Sequence, residues 1–202
     1  MHPKSDLTAA TQTLNESLDQ FISSYIGLLS DDNSQIMTEY DSEWPSPCIQ
    51  LTSEDLNATA DGSEVPWQPV LRNDGVTLNN IAEALEIEID PQLSALFCRY
   101  YSHDLPAVTE RGELEILQAW NEEDFDRLQK NLIAHVLMKR RLKQPETLFF
   151  ATTDQEEFII SLELATGNVV LEQVGKLPKE VLAPDIATFI DSLKPRAVVV
   201  TL

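Results

Sequence analysis

The feature that most constrains this 202-residue chain is one helix whose two ends are both marked in the sequence. Asn121 suits the N-cap position, and the three carboxylates that follow it lie beside the positive end of the helix dipole. The basic run at residues 139–143 lies at the negative end, and Pro145 prevents the helix from continuing. Apolar residues at helical spacing form one face between these ends: Phe125, Leu128, Leu132, Ile133, Val136 and Leu137. We therefore predict an amphipathic helix from residue 121 to the basic run.

The segments around this helix mix helical and strand patterns. Apolar residues three and four apart predict helices over residues 7–29 and 77–86, and prolines at first helical turns predict two more, over 91–97 and from Pro184 to Pro195. Runs rich in β-branched and aromatic residues predict strands at 48–52, 99–108, 114–120, 148–152, 158–164 and 169–174. Gly112 and Gly167 lie in turns that would join these strands into a hairpin and a meander. The mixture predicts a single α+β domain over residues 1–202.

Two stretches carry little periodic pattern. Residues 53–75 are rich in turn-forming side chains, with a short extended piece at Val70 and Leu71, so we expect a surface loop. Residues 196–202 are expected to form either a flexible tail or an edge strand at 198–200.

Charge is distributed unevenly along the chain. It has 14 Lys and Arg against 34 Asp and Glu, a net charge of −20. Residues 1–120 contain 21 acids and 4 bases, whereas residues 121–202 contain 13 acids and 10 bases. A negative field repels phosphate backbones and anionic head groups, so nucleic-acid binding and general membrane adsorption are disfavoured. Basic protein surfaces are the favoured partners.

The sequence lacks the patterns that mark catalytic, metal and nucleotide sites. No GxSxG, HExxH, GxGxxG or GxxxxGK[ST] occurs, and the three histidines are scattered. Cys48 and Cys98 form no CxxC pair, and a nucleophilic Cys48 would need a histidine close in space, so a buried structural thiol is favoured. We predict no enzyme activity, no metal and no cofactor. Without a signal-like apolar stretch near Met1 or a run of 18 apolar residues, we expect neither secretion by that route nor a transmembrane helix.

Several short motifs occur together in one order: PSPCI at 45–49, WQP at 67–69, LQAWNEEDF at 117–125, NLIAH at 131–135, RLK at 141–143 and PETLF at 145–149. On these motifs the chain, over residues 7–195, resembles the Syd family of SecY-interacting proteins of gammaproteobacteria. The resemblance implies a SUKH-like α+β fold, with a twisted, mostly antiparallel sheet packed with helices. It also implies no enzyme activity and a cytoplasmic position, peripheral to the inner membrane on its cytoplasmic side. The chain departs from the family pattern in a long insert at 57–65 and a tail after Pro195.

Charge and resemblance together indicate a partner. Cytoplasmic loops of membrane proteins are enriched in Lys and Arg, and the resemblance implies that SecY is the membrane protein. We expect an acidic face to bind these loops and so to regulate SecY or control the quality of its assembly. The hypothesis assigns the contact to seven residues on one concave face: Glu54, Asp55, Trp67, Glu86, Glu122, Glu123 and Asp124. Trp67 is expected to contribute binding energy as a desolvated aromatic.

Other interpretations of these charged residues also fit the sequence. Some SUKH-like proteins are immunity proteins, so the acidic face could instead mask a basic toxin nuclease. The acids at 122–124 could serve only the helix end. Four cations at the other end could touch anionic lipid peripherally, without insertion, although a solvated helix end explains them as well: Lys139, Arg140, Arg141 and Lys143.

Overall fold

A computed structural model of the chain describes residues 4–30 and 35–197, with only the backbone described for 4–9 and 30. Its helices are α1 (Lys4–Ser30), α2 (Ser53–Ala58), α3 (Asn79–Leu85), α4 (Pro91–Cys98), α5 (Glu122–Arg141) and α6 (Ile186–Asp191). Its strands are β1 (Met37–Glu39), β2 (Glu64–Pro66), β3 (Val70–Leu71), β4 (Tyr100–Tyr101), β5 (Leu105–Thr109), β6 (Gly112–Ile116), β7 (Thr147–Thr153), β8 (Phe158–Glu163), β9 (Val169–Gln173), β10 (Pro178–Ala183) and β11 (Lys194–Pro195).

A seven-stranded sheet in the order β10-β9-β8-β7-β6-β5-β11 forms the centre of the fold. All neighbouring strands in it are antiparallel. Two short two-stranded sheets, β1 with β2 and β3 with β4, lie outside it. The predicted hairpin is present as β5 and β6, and Gly112 closes it with a φ of 150° that favours glycine. The expected α+β fold with a mostly antiparallel sheet is confirmed.

Helices α5 and α6 both pack against strand β7 of this sheet. On β7, the Phe149 ring lies edge-on to His135 of α5, with 5.3 Å between ring centroids. The next residue, Phe150, meets Phe189 of α6 at 5.9 Å between centroids. β7 has a register irregularity between Phe149 and Ala151, and at this point it contacts both α5 and α6. Helix α1 packs against α4, α6 and β11, and one hydrophobic cluster extends through these layers.

Helix α5 matches its prediction at both ends. The Asn121 carboxamide oxygen caps it by accepting the backbone N–H of Asp124 at 2.9 Å. The helix ends at Arg141, four residues before Pro145. The sequence signals at these ends act within a single turn of helix, so tertiary contacts do not override them.

Some local predictions in the first half of the chain are wrong. Residues 48–52 form no strand, because Ile49 alone pairs, in a single bridge with Trp67. Residues 53–75 are not one loop, since they contain α2 and β2 as well as the expected extended piece, now β3. The predicted strand over 99–108 is interrupted at 102–104, between β4 and β5.

The C-terminal part differs from prediction at the sheet edges. Strand β10, which was not expected, lies at an edge, where proline and lysine are tolerated and weaken the strand pattern. Pro184 was expected in the first turn of α6 but lies before it, and Asp185 caps the helix through a hydrogen bond from the Thr188 N–H at 2.7 Å. Pro195 does not close that helix but lies in β11 and pairs with β5. Residues 198–202, where a tail or edge strand was expected, lie outside the described residues.

A fully buried ion pair joins α5 to the sheet. The Glu172 carboxylate on β9 accepts a hydrogen bond from the ammonium of Lys139 at 2.5 Å. It also accepts hydrogen bonds from the hydroxyls of Thr147 and Ser161, each at 2.7 Å. His135 Nε2 lies 3.3 Å from the same carboxylate. Burial favours the protonated acid, but hydrogen bonds from these four side chains outweigh it and lower the pKa of Glu172 to about 2.

Asp104, before β5, has fewer partners. The half-buried carboxylate accepts the Gln118 backbone N–H at 2.8 Å. Burial is the largest effect and raises the pKa of Asp104 from 3.8 to about 6, and the negative charges of Glu115 and Asp124 act in the same direction. At neutral pH the folded chain therefore holds this carboxylate ionised at a cost in stability.

Glu172→Gln is expected to lower the free energy of unfolding at pH 7 by about 3 to 5 kcal/mol, because Lys139 is left buried beside a neutral amide. The lowered pKa means that the contribution of Glu172 is complete above pH 4.5 and is lost as pH falls towards 2. Urea unfolding across this range should therefore show the gap between wild type and variant narrowing in acid. The double variant Lys139→Met/Glu172→Gln should recover much of the loss. A double variant as unstable as Glu172→Gln would contradict the assignment to an unpaired ammonium.

Asp104→Asn is expected to stabilise the protein at pH 8 and to leave stability unchanged at pH 4. The asparagine oxygen still accepts the Gln118 N–H, while the buried charge is gone. A pKa raised above its unfolded value gives stability that is complete below about pH 3.8 and is lost as pH rises from there through about 6, so the gain of the variant develops over this range and is complete above it. Its size should be about 1 to 3 kcal/mol. Asp191→Asn, at an exposed site, is the matched control. An equal gain for Asp104→Asn at both pH values would rule out the charge as the cause.

Candidate functional site

An open groove of about 900 Å³ lies between α1, α3 and α4. Its floor is mostly apolar: Leu71, Leu78, Ala82, Ile87, Ile89, Pro91, Ala95 and Cys98. Its polar lining is Thr11, Asn15, Arg72, Asn79, Glu86, Glu88, Ser94 and Arg99. A concave surface of this kind, with an apolar floor and a few polar side chains, is suited to receiving a segment of another molecule.

The two cations of the groove are already neutralised within the chain. Arg99 donates to both carboxylate oxygens of Asp19 on α1, at 2.6 and 2.5 Å, and holds the pKa of that carboxyl below its usual value. Arg72 pairs with Asp74 at 2.9 Å. Glu86 and Glu88 are exposed and form no ion pair among the described residues, so the groove's unpaired charge is negative.

Arg72 also has a structural role at the end of the groove. Its side chain is 1% exposed, and its guanidinium lies 4.0 Å from the ring centroid of Tyr101 and 4.5 Å from that of Phe125. Stacking between two aromatic faces stabilises a desolvated guanidinium. Arg72 therefore ties β3 to β4 and to the start of α5.

Unpaired acids are concentrated in the segment of residues 35–66. It contains seven carboxylates, all exposed: Glu39, Asp41, Glu43, Glu54, Asp55, Asp61 and Glu64. No lysine or arginine occurs between Lys4 and Arg72. None of the seven forms an ion pair with another described residue. We call residues 35–66 the acidic segment. Sequence reasoning missed five of its seven acids, although the absence of bases between Lys4 and Arg72 was visible in the sequence.

Hydrogen bonds fix the acidic segment to the start of α5. The Trp120 indole N–H donates to the Trp44 carbonyl at 3.3 Å, and the Asn121 side-chain amide donates to the Pro45 carbonyl at 2.8 Å. In the reverse direction, the Ser46 hydroxyl donates to the Trp120 carbonyl at 2.5 Å. The guanidinium of Arg127 lies 4.9 Å from the Trp44 ring. The residues of the PSPCI and LQAWNEEDF motifs therefore hold these two parts of the chain together.

Trp67 belongs to the core of this junction. It is 5% exposed and lies edge-on to His103 and to Trp120, with centroid distances of 4.6 and 5.5 Å. His103 stacks on Trp120 at 3.8 Å, and burial lowers the pKa of His103 although the Asp124 charge opposes this. Trp67 is therefore a packing residue in the free protein, and its side chain is not presented at the surface.

The other predicted partner-binding residues fall into two places. Glu54 and Asp55 are exposed in the first turn of α2 within the acidic segment, and Glu122 and Glu123 are exposed in the first turn of α5. Glu86 lies near the opposite end of α5, where Arg140 donates to the Leu85 carbonyl at 2.8 Å. With a rise of 1.5 Å per residue, the two ends of α5 are about 30 Å apart. Of the seven predicted residues, Glu86 alone lines the groove.

Asp124 and Glu86 each have a structural role within the folded chain. Asp124 is half-buried, accepts the Trp120 N–H at 2.9 Å and pairs with Arg127 at 2.6 Å, so it supports the start of α5. Glu86 has a φ of 56° at the C-cap of α3, a left-handed conformation that is uncommon outside glycine. This conformation turns the chain out of α3 and into the rim of the groove.

The interpretation that four cations at the end of α5 touch lipid or form a solvated helix end is wrong for Lys139. Lys139 is fully buried and paired with Glu172, and Arg140 is bound to Glu146 at 2.8 Å. Arg141 and Lys143 are exposed and form no ion pair among the described residues. The four cations are close together in the sequence. Successive residues of a helix point in different directions, however, and the position of Lys139 faces the sheet.

The chemistry of the described residues offers little for catalysis. Burial raises the pKa of the Cys48 and Cys98 thiols to about 11 each, so both are protonated at neutral pH and weakly nucleophilic. Residues 4–30 and 35–197 contain no group of three His, Cys, Asp or Glu side chains placed to hold a metal ion. Within the same ranges, no helix is both long and apolar enough to cross a membrane.

Comparison with known proteins gives consistent matches over most of the chain. Residues 15–195 match the family model described as Syd protein (SUKH-2). A protein named Protein Syd from Pseudoalteromonas atlantica is 45% identical over 185 residues, which cover 92% of this chain and 97% of that protein. Proteins of the same name from Alteromonas mediterranea and Colwellia psychrerythraea are 43% and 38% identical, over 91% and 96% of this chain and 97% and 98% of theirs. On this coverage and identity, the chain belongs to the Syd family.

Proposed function

We propose that this chain binds the basic cytoplasmic loops of SecY through the acidic segment, and thereby regulates SecY or controls the quality of its assembly. The observation that carries the proposal is the acidic segment itself, with seven exposed carboxylates and no base to neutralise them. Membership of the Syd family supports SecY as the partner, because the family resemblance implies it.

Charge complementarity accounts for the first step of such binding. Cytoplasmic loops of membrane proteins are rich in Lys and Arg, so they are attracted to this surface before contact. The Debye length is about 8 Å at physiological ionic strength, so only carboxylates close to the docked loop contribute strongly. Of the acidic segment, Asp41 and Glu43 are next to Trp44, whose bond with Trp120, like the Asn121–Pro45 bond, joins this part of the chain to the start of α5, where Glu122 and Glu123 are exposed.

The groove provides a second contact for the same partner. Its apolar floor can bury aliphatic side chains, and Glu86 and Glu88 on its rim can meet lysine or arginine side chains in the same loop. Glu86 is about 30 Å from the start of α5, so a partner that engages both places needs two loops or one long loop. The acidic segment is already held in place by hydrogen bonds, so little ordering is needed on binding.

The proposed role is that of a binding protein and not of an enzyme. The residues that would take part are carboxylates suited to ion pairing, and the two thiols are protonated at neutral pH. We propose a cytoplasmic location with peripheral association at the inner membrane, where the SecY loops are exposed.

Reversal of three exposed acids in the acidic segment, Glu43→Lys/Glu54→Lys/Glu64→Lys, is expected to weaken binding to detergent-solubilised SecY by at least about ten-fold at 0.1 M salt. Each reversal removes an attraction and adds a repulsion, and the salt dependence of the dissociation constant should flatten. These three side chains accept no hydrogen bond within the described chain, so folding should be preserved. Affinity can be measured by biolayer interferometry over a salt series, and Glu86→Lys tests the groove separately.

The matched control is Glu110→Lys/Glu156→Lys/Asp191→Lys, which makes the same change in net charge at exposed sites outside the acidic segment. It should retain most of the SecY affinity. Equal losses in the two triple variants would show that only net charge matters and would contradict the assignment to the acidic segment. The immunity alternative predicts instead that the acidic-segment variant loses binding to a basic nuclease while wild type fails to bind SecY.

A further inference from the structure

A small exposed apolar surface lies where the β9–β10 turn meets the end of α5. Val174 and Leu177, in the turn, are 51% and 61% exposed, and Leu142, just after α5, is 46% exposed. The Leu142 side chain lies 4.0 Å from the position that a Cβ on Gly175 would take, so helix end and turn are in contact. Three large aliphatic side chains therefore project from one place on the surface.

Buried and backbone contacts hold this surface in shape. The Lys139 ammonium donates to the Lys176 carbonyl at 2.8 Å, and the Gln144 amide donates to the Gly175 carbonyl at 3.0 Å. Gly175 has a φ of 78°, which favours glycine at this turn. The aliphatic tips are thus presented on a rigid base rather than on a loose loop.

Exposed cations are next to the aliphatic residues in the chain. Arg141, Lys143 and Lys176 are exposed, and none forms an ion pair with another described residue. The Lys176 ammonium bonds only to the neutral Gln173 amide oxygen, at 2.8 Å. Glu157 is the carboxylate tied to this turn, through its bond with Gln173. We call the six residues the basic–apolar patch: Leu142, Val174, Leu177, Arg141, Lys143 and Lys176.

The basic–apolar patch is separated from the acidic segment, and the exposed Glu86 is the partner-binding candidate nearer this end of α5. The acidic segment is bound to the start of α5, whereas the patch is at its end, about 30 Å away along 20 helical residues. That distance exceeds three Debye lengths at physiological salt, so the acidic segment does not cancel the local positive field there.

We propose that the basic–apolar patch contacts the surface of a bilayer containing anionic phospholipids, independently of SecY. Aliphatic tips next to Lys and Arg are the composition that inserts shallowly between head groups while pairing with lipid phosphates. A second copy of the chain is a poorer occupant, because a stable protein interface uses about 20 to 30 residues on each side and this patch has six. Contact is shallow and reversible, since no helix of the described residues could span the bilayer.

The test is flotation of the full chain with vesicles of phosphatidylcholine containing roughly one third phosphatidylglycerol, at about 0.1 M salt. Wild type should float with these vesicles and not with phosphatidylcholine alone. Lys143→Glu/Lys176→Glu should reduce the partition coefficient by at least about ten-fold, and Leu177→Ser should also reduce it. No SecY is present, so failure here leaves the proposed SecY contact unaffected.

The matched control is Lys130→Glu/Lys194→Glu, which reverses two exposed lysines away from the patch. Lys130 lies nearer the start of α5, and Lys194 lies on β11 at the opposite edge of the sheet from β10. The control should retain flotation, and circular dichroism confirms that each variant is folded. The proposal is overturned if wild type does not float, if control and patch variants lose flotation equally, or if sedimentation shows a wild-type dimer that Lys143→Glu/Lys176→Glu converts to monomer.

Discussion

The buried pair of Lys139 and Glu172 determines where α5 lies on the sheet. An ammonium in the interior is unfavourable unless a carboxylate and further hydrogen bonds compensate for the lost water. Here the carboxylate is on β9, and the hydroxyls of Thr147 and Ser161 bring β7 and β8 to the same point. Lys139 and His135 are on α5, so this part of the helix must lie over β9 for both to reach that carboxylate. The ends of α5, and everything attached to them, are placed by that requirement.

Two surfaces of opposite character follow from this placement. The start of α5 is bonded to the acidic segment through Trp120 and Asn121, and the end of α5 is bonded to the β9–β10 turn through Lys139 and Gln144. The acidic segment therefore lies at one end of the helix and the basic–apolar patch at the other, about 30 Å apart, with Glu86 nearer the second end. A molecule polarised in this way can meet basic protein loops at one end while its other end faces an anionic surface. Both contacts are proposals, and they rest on separate residues.

The motifs that carry the family resemblance act mainly within the fold. Trp67, His103 and Trp120 form one buried aromatic cluster, and the PSPCI segment is hydrogen bonded to the start of α5. Their contribution to binding is indirect, because they hold the acidic segment in a defined position. The seven carboxylates of the acidic segment are spread along residues 35–66 and belong to none of these motifs. Motif matching therefore identifies the family more directly than it identifies the contact surface.

The sequence alone determined the features that depend on neighbouring residues: the capped ends of α5, the β5–β6 hairpin at Gly112, the three-strand meander and the concentration of acids in the first 120 residues. Caps, turns and charge act over a few residues, so their signals survive in any tertiary context. Only the tertiary structure decided that Trp67 is buried, that Lys139 faces inwards and Arg141 outwards, and that Glu86 is remote from Glu122. It also decided that 178–183 forms an edge strand. Those outcomes depend on which distant parts of the chain pack together. An ion pair between residues 33 positions apart, such as Lys139 and Glu172, leaves no local pattern in the sequence.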